Sequence, residues 1–425
     1  MNKRYSILLV FFAVVIFFLC SCPGMNSKKG TPPEKIRLLA SAVDSNLYHN
    51  IIPFWLSYSV DTVNGGFYGT VSNDGKGLPE ARKGLILNAR ILWTFSSLLL
   101  KDGDERFHTM AERAYLYIDE YFIDKEYGGA FYAVDKDGNP VADLKQTYAN
   151  AFAIYGLAEY YRATGNPSAL EQAISIFMHL EKYAYDSEYG GYLEQFQRDW
   201  SPVPEGTRND IGDADKTMNT SLHVMEALTN LRRIWDSPLL TERLREMIII
   251  VLEKIINQET HRQYYYFNRD WSSKADIKSY GHDIESSWLM LEAAEVLGDE
   301  SLTGRVKKAS LAMAESTLGA LQTNGKLTYE TVDGIDATST QFWAQAEAIV
   351  GYINAWQLTG DEIWIDRAAL VWNFTDNTFI DREYGEWYQG TNRNGEINKR
   401  SPKISFWKCP YHNSRMCMEV IRRAK

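Results

Sequence analysis

The sequence predicts an all-α fold, an (α/α)6 barrel of twelve helices with short hairpins between its repeats. Three observations support this prediction. Turns that contain glycine recur, with Gly65, Gly128 and Gly190 spaced 63 and 62 residues apart. Between successive turns lie two segments of helical period, one almost wholly apolar and one with a charged face. The chain has no strand-rich half and no G-x-G-x-x-G fingerprint, which argues against a dinucleotide-binding enzyme.

The turns define six repeats. Four clear copies begin with aspartate, carry glycine four residues later and continue with aromatic residues; they lie at 61–68, 124–132, 186–192 and 381–388. Because glycine supplies the positive φ that a tight turn needs, each copy predicts a short hairpin. The gap from Gly190 to Gly385 is 195 residues, about three periods, which predicts two degenerate copies between them. The candidates lie at 263–267 and 324–329.

Each repeat is expected to contain an inner and an outer helix. The inner helices are apolar on nearly all sides, and they are predicted at 85–100, 149–162, 222–235, 287–297 and 344–356, with a last one beginning at His412. The outer helices keep one charged face for solvent, and they are predicted at 104–122, 167–183, 239–256, 302–318 and 361–374. We therefore expect a single barrel domain over residues 34–425.

The N-terminus has the features of a lipoprotein signal. Lys3 and Arg4 precede an apolar run from Ile7 to Cys20, which is too short to span a bilayer comfortably but suits a signal-peptide core. A leucine and a small residue then precede Cys22 in the pattern of a bacterial lipoprotein cleavage site. We expect residues 1–21 to be a signal peptide, Cys22 to be lipidated, and residues 22–33 to form a flexible tether. An ordinary secretory signal is the alternative.

The expected location is the periplasmic side of a Gram-negative membrane, since no run of acidic residues follows Cys22. The chain has 45 basic and 55 acidic side chains, so it lacks the excess of basic residues that is typical of nucleic-acid-binding proteins. We expect a monomer that meets the membrane only through its lipid anchor. The abundance of Tyr and Trp, 26 and 12 residues, suits either a large core or platforms for stacking sugars.

Polar residues interrupt or begin the apolar inner helices, and these are the candidate site residues. They recur at gaps of 58 to 71 residues, so each repeat is expected to deliver one group to the same end of the barrel: Arg90, Tyr148, Asn219 with His223, His282 with Glu285, Trp343 with Glu347, and His412. Three of the seven histidines fall at equivalent phases of three repeats. The other four lie on outer helices or turns, where we expect surface positions.

Each candidate also has a structural interpretation. Arg90 is compatible with a structural ion pair, Tyr148 and Trp343 with core packing. Glu285 is compatible with a first-turn carboxylate, and His223 with a hydrogen-bonded core histidine. Three histidines also suit a metal site, but aromatic and arginine neighbours suit a sugar better than a cation. The convergence of the six repeats therefore favours a site for a small sugar, with neither metal nor cofactor.

Several strings resemble the N-acylglucosamine 2-epimerase and cellobiose 2-epimerase superfamily. The most specific are SYGHDIE at 279–285 and WKCPYHN at 407–413, and the resemblance extends over the chain after the tether. It implies that His282 and His412 are the catalytic acid/base pair and that His223 is a third essential histidine. It further implies that six residues hold or tune the sugar: Arg90, Tyr148, Asn219, Glu285, Trp343 and Trp407. Ser221 and Phe342 depart from the family pattern, which usually has histidine and tryptophan there.

The implied reaction inverts C2 of the reducing-end sugar of a β-1,4-linked disaccharide, mannobiose or cellobiose. The open-chain aldehyde acidifies the C2 proton, and two imidazoles with an unperturbed pKa of ~6.5 suit its removal and return through a cis-enediolate. Arg90 is suited to stabilise the enediolate oxygens. Glu285, one turn from His282, is expected to orient that imidazole. The second sugar is expected near the rim, where Trp387 and Tyr388 should be exposed.

Three other functions remain open at this point. An aldose–ketose isomerase of the same superfamily uses the same enediolate but returns the proton to C1. A glycoside hydrolase on this scaffold needs two opposed carboxylates, for which Glu285 and Glu347 are the candidates. A sugar-binding lipoprotein without catalytic activity is the third, although the acid/base histidines argue against it.

Overall fold

The computed structural model describes residues 32–204, 213–275, 277–332 and 334–425. The predicted signal peptide, Cys22 and nearly all of the predicted tether lie outside these ranges. Within them, no helix has both the length and the apolar character that a membrane span requires.

The described residues form thirteen α-helices that build the twelve helices of an (α/α)6 barrel, which confirms the predicted fold. Helices α1 and α2 count as one because the π-helical turn Leu47–Ile51 joins them end to end. The outer helices are α1 (Glu34–Asn46) with α2 (Ile52–Tyr58), α4 (Glu105–Tyr117), α6 (Pro167–His179), α8 (Pro238–Ile250), α10 (Glu300–Ser316) and α12 (Ile363–Thr378). The inner helices are α3 (Leu85–Asp102), α5 (Thr147–Thr164), α7 (Met218–Arg232), α9 (Tyr280–Leu297), α11 (Phe342–Thr359) and α13 (Tyr411–Arg423).

The inner helices pack side by side, and α13 closes the ring by contacting both α11 and α3. They are buried along most of their length because the outer ring covers the side that faces away from the barrel axis. Helices α3 and α5 approach so closely that a Cβ atom at Gly156 would lie 2.6 Å from the carbonyl oxygen of Ala89. Only glycine fits at that position.

Six hairpins join the outer to the inner helices, as the turn repeat predicts. Each is pinned by an antiparallel bridge, including Ile256 with Gln263 and Leu321 with Leu327 in the two degenerate copies. Short strands of two or three residues pair the hairpins around the barrel: β1 (Lys83–Gly84), β2 (Ala133–Val134), β3 (Pro140–Ala142), β4 (Lys145–Gln146), β5 (Gln195–Phe196), β6 (Lys216–Thr217), β7 (Tyr266–Phe267), β8 (Ile277–Ser279), β9 (Glu330–Val332) and β10 (Ile335–Asp336). All pairs are antiparallel, and the hairpins gather at the end where the inner helices begin.

Buried lysine–aspartate pairs lock four of the hairpins to the barrel. In the first, Lys83 Nζ donates to Asp61 Oδ2 at 2.8 Å and to the carbonyl oxygen of Gly65 at 2.6 Å. The aspartate also accepts the backbone N–H groups of Val63 and Asn64, so it shapes the turn as well. The same pairing recurs in three other repeats: Lys145 with Asp124, Lys216 with Asp186, and Lys403 with Asp381. The sequence identified these aspartates only as turn residues, and their lysine partners are a finding of the structure.

The expected exposure of Trp387 at the rim is wrong. Its side chain is fully buried, and its indole Nε1 donates to Asn46 Oδ1 at 2.8 Å. The indole packs near Trp372 beneath the outer helices, because the hairpin turns this face towards α1 and α12. Tyr388, the next residue, is only half-buried.

A polar side chain four residues after the N-cap of an inner helix clamps a hairpin in several repeats. Asn150 Oδ1 accepts the N–H of Ala130 at 2.8 Å, and its amide donates to the carbonyl of Gln146 at 2.9 Å. In α9 this position is Asp283, whose Oδ1 accepts the N–H of Gln263 at 2.9 Å. Its Oδ2 is buried and has no hydrogen-bond partner among the described residues. Burial raises the pKa of this carboxyl to about 7.

Asp283→Asn is expected to stabilise the protein increasingly as the pH rises. Because the folded-state pKa is raised, the contribution of the neutral carboxyl to stability is complete below about pH 4 and is lost as the pH passes about 7. Asparagine cannot ionise, and its amide is able to make the bond that Asn150 makes. Thermal unfolding of both proteins between pH 5 and pH 8 should show a Tm difference that grows with pH. The same change at exposed Asp137 is the control, and a pH-independent difference at Asp283 would contradict the prediction.

Candidate active site

A cavity of about 320 Å³ opens at the end of the barrel where the inner helices begin. The structure brings to its wall all nine residues to which the family resemblance assigns a role, together with five others. Glu347, the tenth candidate, does not line the cavity. The lining residues are Arg90, Tyr148, Asn219, His223, Tyr265, His282, Glu285, Tyr329, Gln341, Phe342, Trp343, Gln389, Trp407 and His412. The three histidines therefore share one cavity, as predicted.

The site has two layers, whereas the sequence predicted one group from each repeat. Four residues lie two positions after the N-cap of their helix and form the upper layer: Tyr148, Asn219, Trp343 and His412. Four more lie six positions after it and form the lower layer: Arg90, His223, Glu285 and Glu347. The layers are four residues apart, which is about one helical turn or ~6 Å along the axis. His282 lies between them, three positions after its N-cap.

His223 is held by a carboxylate on its own helix. Its Nδ1 lies 2.8 Å from Glu226 Oε2. Burial would raise the pKa of Glu226, but the charge of Arg415 and the hydrogen bonds from His223 and Tyr411 outweigh it and lower that pKa to about 2. An ionised carboxylate only accepts, so Nδ1 carries the proton and the Nε2 lone pair remains available. Burial lowers the pKa of His223 itself, which favours the neutral ring.

His412 is held in the same way by a carboxylate from another helix. Its Nδ1 lies 2.7 Å from Glu347 Oε1 and 3.9 Å from Glu285 Oε1. Burial and the nearby charges of Arg90 and Arg415 lower the pKa of His412 well below its usual range. Trp343 packs beside the ring, with the two ring centres 5.5 Å apart.

His282 has a hydroxyl partner. Its Nδ1 lies 2.7 Å from Ser279 Oγ, and burial together with the two other histidines lowers its pKa to about 3. The expectation that Glu285 orients His282 is wrong, because Glu285 accepts a hydrogen bond from Arg415 Nη2 at 2.7 Å. Glu285 lies three residues after His282 in α9, about 4.5 Å deeper along the helix axis, so its carboxyl lies in the lower layer, beside α13.

Arg90 brings a positive charge to the cavity wall. Its Nη2 donates to the hydroxyl of Tyr148 at 2.8 Å, and its guanidinium lies 4.2 Å from the ring centre of Phe152. In the described parts of the chain its side-chain hydrogen bonds go to Tyr148 and Cys409 and none goes to a carboxylate, so the structural ion-pair interpretation is wrong. A buried guanidinium without a carboxylate partner is suited to receive an anionic oxygen.

Aromatic and amide groups complete the wall. Trp407 is 47% exposed at the mouth and packs near Tyr148, with ring centres 5.8 Å apart, which suits a platform for a sugar. The Asn219 Oδ1 and Gln389 Oε1 atoms are buried without a hydrogen-bond partner among the described residues, as expected for groups that bind hydroxyls.

Cys409 and Cys417 are both buried free thiols.

A charged cluster below the cavity was largely missed. Its members are Glu226, Tyr411 and Arg415, which support the histidines without lining the cavity. Glu226 had a signal in the sequence, since it follows His223 by three residues and so shares its helix face. The signal for Arg415 in the sequence was weaker, because polar residues lie on several sides of α13 and Arg415 does not stand out among them.

One group of side chains has the spacing of a metal site: Glu285, Glu347 and His412. One ligand atom from each lies within 4.8 Å of the other two. Arg415 Nη2 already donates to both carboxylates at 2.7 Å, so a guanidinium supplies positive charge to this group. The two glutamates lie together beneath His412, which does not suit the opposed carboxylates of a glycoside hydrolase.

Comparison with known proteins identifies the family of this chain. Residues 66–412 match the N-acylglucosamine 2-epimerase (GlcNAc 2-epimerase) family. The chain is 39% identical to the cellobiose 2-epimerase of Bacteroides fragilis over 90% of its own length and 99% of that protein. The solved structure of cellobiose 2-epimerase from Bacillus thermoamylovorans superposes with a TM-score of 0.86 at 36% identity, covering 91% of this chain and 100% of that one. A D-mannose isomerase, at 19% identity and a TM-score of 0.81, shares the fold.

The fold, the histidine site and these relatives define the class of protein: an isomerase that acts on carbohydrates, specifically a carbohydrate epimerase. The chain belongs to the N-acylglucosamine 2-epimerase family. This result supersedes both the hydrolase interpretation and that of a binding protein without catalysis.

Proposed function

We propose that the protein inverts C2 of the reducing-end sugar of a β-1,4-linked disaccharide, through ring opening and a cis-enediolate and without a cofactor. The observation that carries this proposal is the convergence of three neutral histidines on one cavity, each with its Nδ1 bound to a protein group. That arrangement leaves the Nε2 atoms for proton transfer. Cellobiose 2-epimerases at 39% identity support the choice of substrate class.

In the proposed mechanism, His282 and His412 serve the two faces of C2. One imidazole accepts the C2 proton from the open-chain aldose, and the electron pair moves onto the C1 oxygen to form the enediolate. Arg90 stabilises that negative charge, which develops in a site shielded from water. The other imidazole, which has taken up a proton from solvent, returns that proton to the opposite face of C2 as the aldehyde forms again. The first imidazole then releases the C2 proton to solvent, so both rings regain their starting state. Glu347 stabilises the imidazolium form of His412 through Nδ1.

The substrate would enter with its reducing end first. The cavity of about 320 Å³ suits the reducing-end unit, and the exposed face of Trp407 suits stacking of the second sugar at the mouth. Mannobiose and cellobiose differ at C2 of both units, and the reaction exchanges that position in the reducing one. Discrimination between them therefore falls to contacts with the non-reducing unit. Mannobiose is our first choice, because a periplasmic enzyme is placed to act on imported mannan fragments.

Incubation in deuterated water tests this proposal. We expect the disaccharide to gain deuterium at C2 and to yield its 2-epimer, with kcat/KM higher for mannobiose and cellobiose than for free mannose, free glucose or N-acetylglucosamine. NMR of the products provides both readouts. If conversion of mannose to fructose is the best reaction, the aldose–ketose isomerase replaces the disaccharide epimerase.

We also propose that lipidated Cys22 anchors the enzyme on the periplasmic side of a Gram-negative membrane. Cys22→Ala is expected to release the protein from the membrane fraction, because the anchor would have no attachment point. Cys20→Ala is the matched control and should leave fractionation unchanged, since Leu19 directly before it makes Cys20 a poor cleavage site. A Cys22→Ala protein that still sediments with membranes would contradict the anchor.

A further inference from the structure

A single arginine lies beneath the site and binds three glutamate carboxyl groups from three inner helices. Arg415 in α13 has only 3% of its side chain exposed. Its Nη2 donates to Glu285 Oε1 and to Glu347 Oε1, both at 2.7 Å. Its Nη1 donates to Glu226 Oε1 and to the Tyr411 hydroxyl. The guanidinium thus joins α7, α9 and α11 to α13 at one point on the barrel axis.

Two of these carboxylates are the ones that hold histidines. Glu226 Oε2 lies 2.8 Å from His223 Nδ1, and Glu347 Oε1 lies 2.7 Å from His412 Nδ1. Each of these imidazoles is therefore one carboxylate away from the same guanidinium. Arg415 does not line the catalytic cavity; it lies at the floor of a separate cavity of about 840 Å³ at the opposite end of the barrel. It has no access to the sugar.

We propose that Arg415 is a positioning residue, which keeps Glu226 and Glu347 ionised and oriented so that His223 and His412 both present an unprotonated Nε2 to the substrate. The proposal rests on the histidine chemistry of the proposed function. Arg415 acts on the reaction only through the two carboxylates and touches no reacting atom.

The charges of the cluster explain why a cation is needed there. Burial and the neighbouring Glu347 raise the pKa of Glu285 well above its usual range, which favours the neutral form of Glu285 and leaves Glu226 and Glu347 as the two anionic partners of Arg415. Burial also raises the pKa of Glu347, and Arg415 opposes that effect. Without Arg415, the buried Glu226 and Glu347 would take up protons to avoid an uncompensated charge. Besides the two histidines, Tyr155, Tyr411 and the more distant Arg90 are ionisable groups beside the cluster.

A protonated carboxyl changes the tautomer of its histidine. An ionised Glu347 accepts from Nδ1, so the Nε2 lone pair of His412 faces the cavity. A neutral Glu347 instead donates a hydrogen bond from its O–H to Nδ1, and the single ring proton of His412 then lies on Nε2. His412 then cannot accept the C2 proton. The same argument applies to Glu226 and His223, so one lost guanidinium would disable two imidazoles.

The guanidinium shape matters in addition to its charge. Its two terminal nitrogens serve different carboxylates, and its plane lies between the rings of Tyr411 and Trp288, with distances of 4.1 and 4.8 Å to the ring centres. A lysine ammonium carries the charge but lacks the two separated donor edges. Arg415→Lys should therefore retain part of the effect on ionisation and lose much of the orientation.

The test compares Arg415→Lys and Arg415→Met with the wild-type enzyme, on whichever sugar the wild type epimerises best. We expect kcat to fall about 100-fold or more in Arg415→Met and less in Arg415→Lys, while KM changes little. The acidic limb of the kcat profile should move to higher pH in Arg415→Met, because the carboxylates that must be ionised there have lost their cation. A wild type without epimerase activity would instead refute the proposed function.

One further variant serves as the control, and Arg415→Lys also covers a failure of Arg415→Met to fold. Arg423→Met is the matched control, since Arg423 lies in the same helix but pairs with Glu419 at the far end; its kcat and pH profile should equal the wild type. Should Arg415→Met fail to fold, Arg415→Lys keeps the charge and still tests the profile. A folded Arg415 variant with wild-type kcat and an unshifted acidic limb would overturn the proposal, as would a loss confined to KM.

Discussion

His282→Ala and His412→Ala are each expected to lower kcat by about four orders of magnitude while the barrel stays folded. Each removes one of the two imidazoles that the proposed mechanism needs, and general acid–base catalysis by a placed group contributes typically ~10²–10⁴-fold. Neither change leaves a buried unpaired charge, because burial keeps both rings neutral. Epimerisation followed by NMR gives kcat, and circular dichroism with thermal unfolding reports on the fold.

His108→Ala is the control for these variants. His108 lies on outer helix α4 with 36% of its side chain exposed, so its removal should change neither kcat nor Tm appreciably. Added chelator should also leave the wild type fully active. A His282→Ala or His412→Ala enzyme with a tenth or more of wild-type kcat would contradict the acid/base assignment. Activity lost to chelator and restored by a divalent metal would favour a metal site.

Lys83→Met is expected to be the most destabilising single change among the hairpin locks. It leaves Asp61 buried without its cation, and breaking a buried ion pair from one side costs ~3–5 kcal/mol. The side chains of Lys83 and Asp61 are 1% and 0% exposed. Among the described residues, Asp61 has no second basic partner of the kind that Arg269 provides for Asp186. The free energy of unfolding from urea titration, together with Tm, measures the loss.

Two variants separate the ion pair from simple loss of packing. Lys83→Met combined with Asp61→Asn should recover a large part of the stability, because asparagine keeps the turn hydrogen bonds without a buried charge. Lys76→Met is the surface counterpart, since Lys76 pairs with Asp74 at 80% and 40% side-chain exposure and should contribute ~0–1 kcal/mol. Equal effects of Lys83→Met and Lys76→Met would show that the buried locks do not hold the hairpins.

The fold and much of the cavity lining were accessible from the sequence for a physical reason. Each repeat must bury its inner helix on all sides, so a polar residue there stands out against an apolar run. Arg90 and His223 were identified in this way, and both line the cavity. The period of the glycine turns then predicted which ends of the inner helices lie together. Even the degenerate hairpin at 263–267 was located from that period.

Contacts between repeats were not accessible, because sequence spacing gives the face and depth of a residue but not its partner on another helix. Glu285 follows His282 by three residues, yet its contact is Arg415, 130 residues away. Trp387 was expected at the rim because the alternation of side chains along a hairpin does not show which face of that hairpin another element covers. The buried lysine–aspartate pairs of the hairpins were not predicted for the same reason, since a lysine beside a turn usually lies in solvent.

The direction of α1 has a consequence for how the enzyme would sit on a bilayer. Lys35, near the start of α1, pairs with Asp366 near the start of α12, and both helices run from there towards the hairpin end where the sugar cavity opens. With Cys22 lipidated as we propose, the chain from Cys22 to Glu34 reaches at most roughly 40 Å and joins the barrel at the end remote from that cavity. The mouth would then face the aqueous periplasm, so disaccharides would reach Trp407 without passing the lipid headgroups.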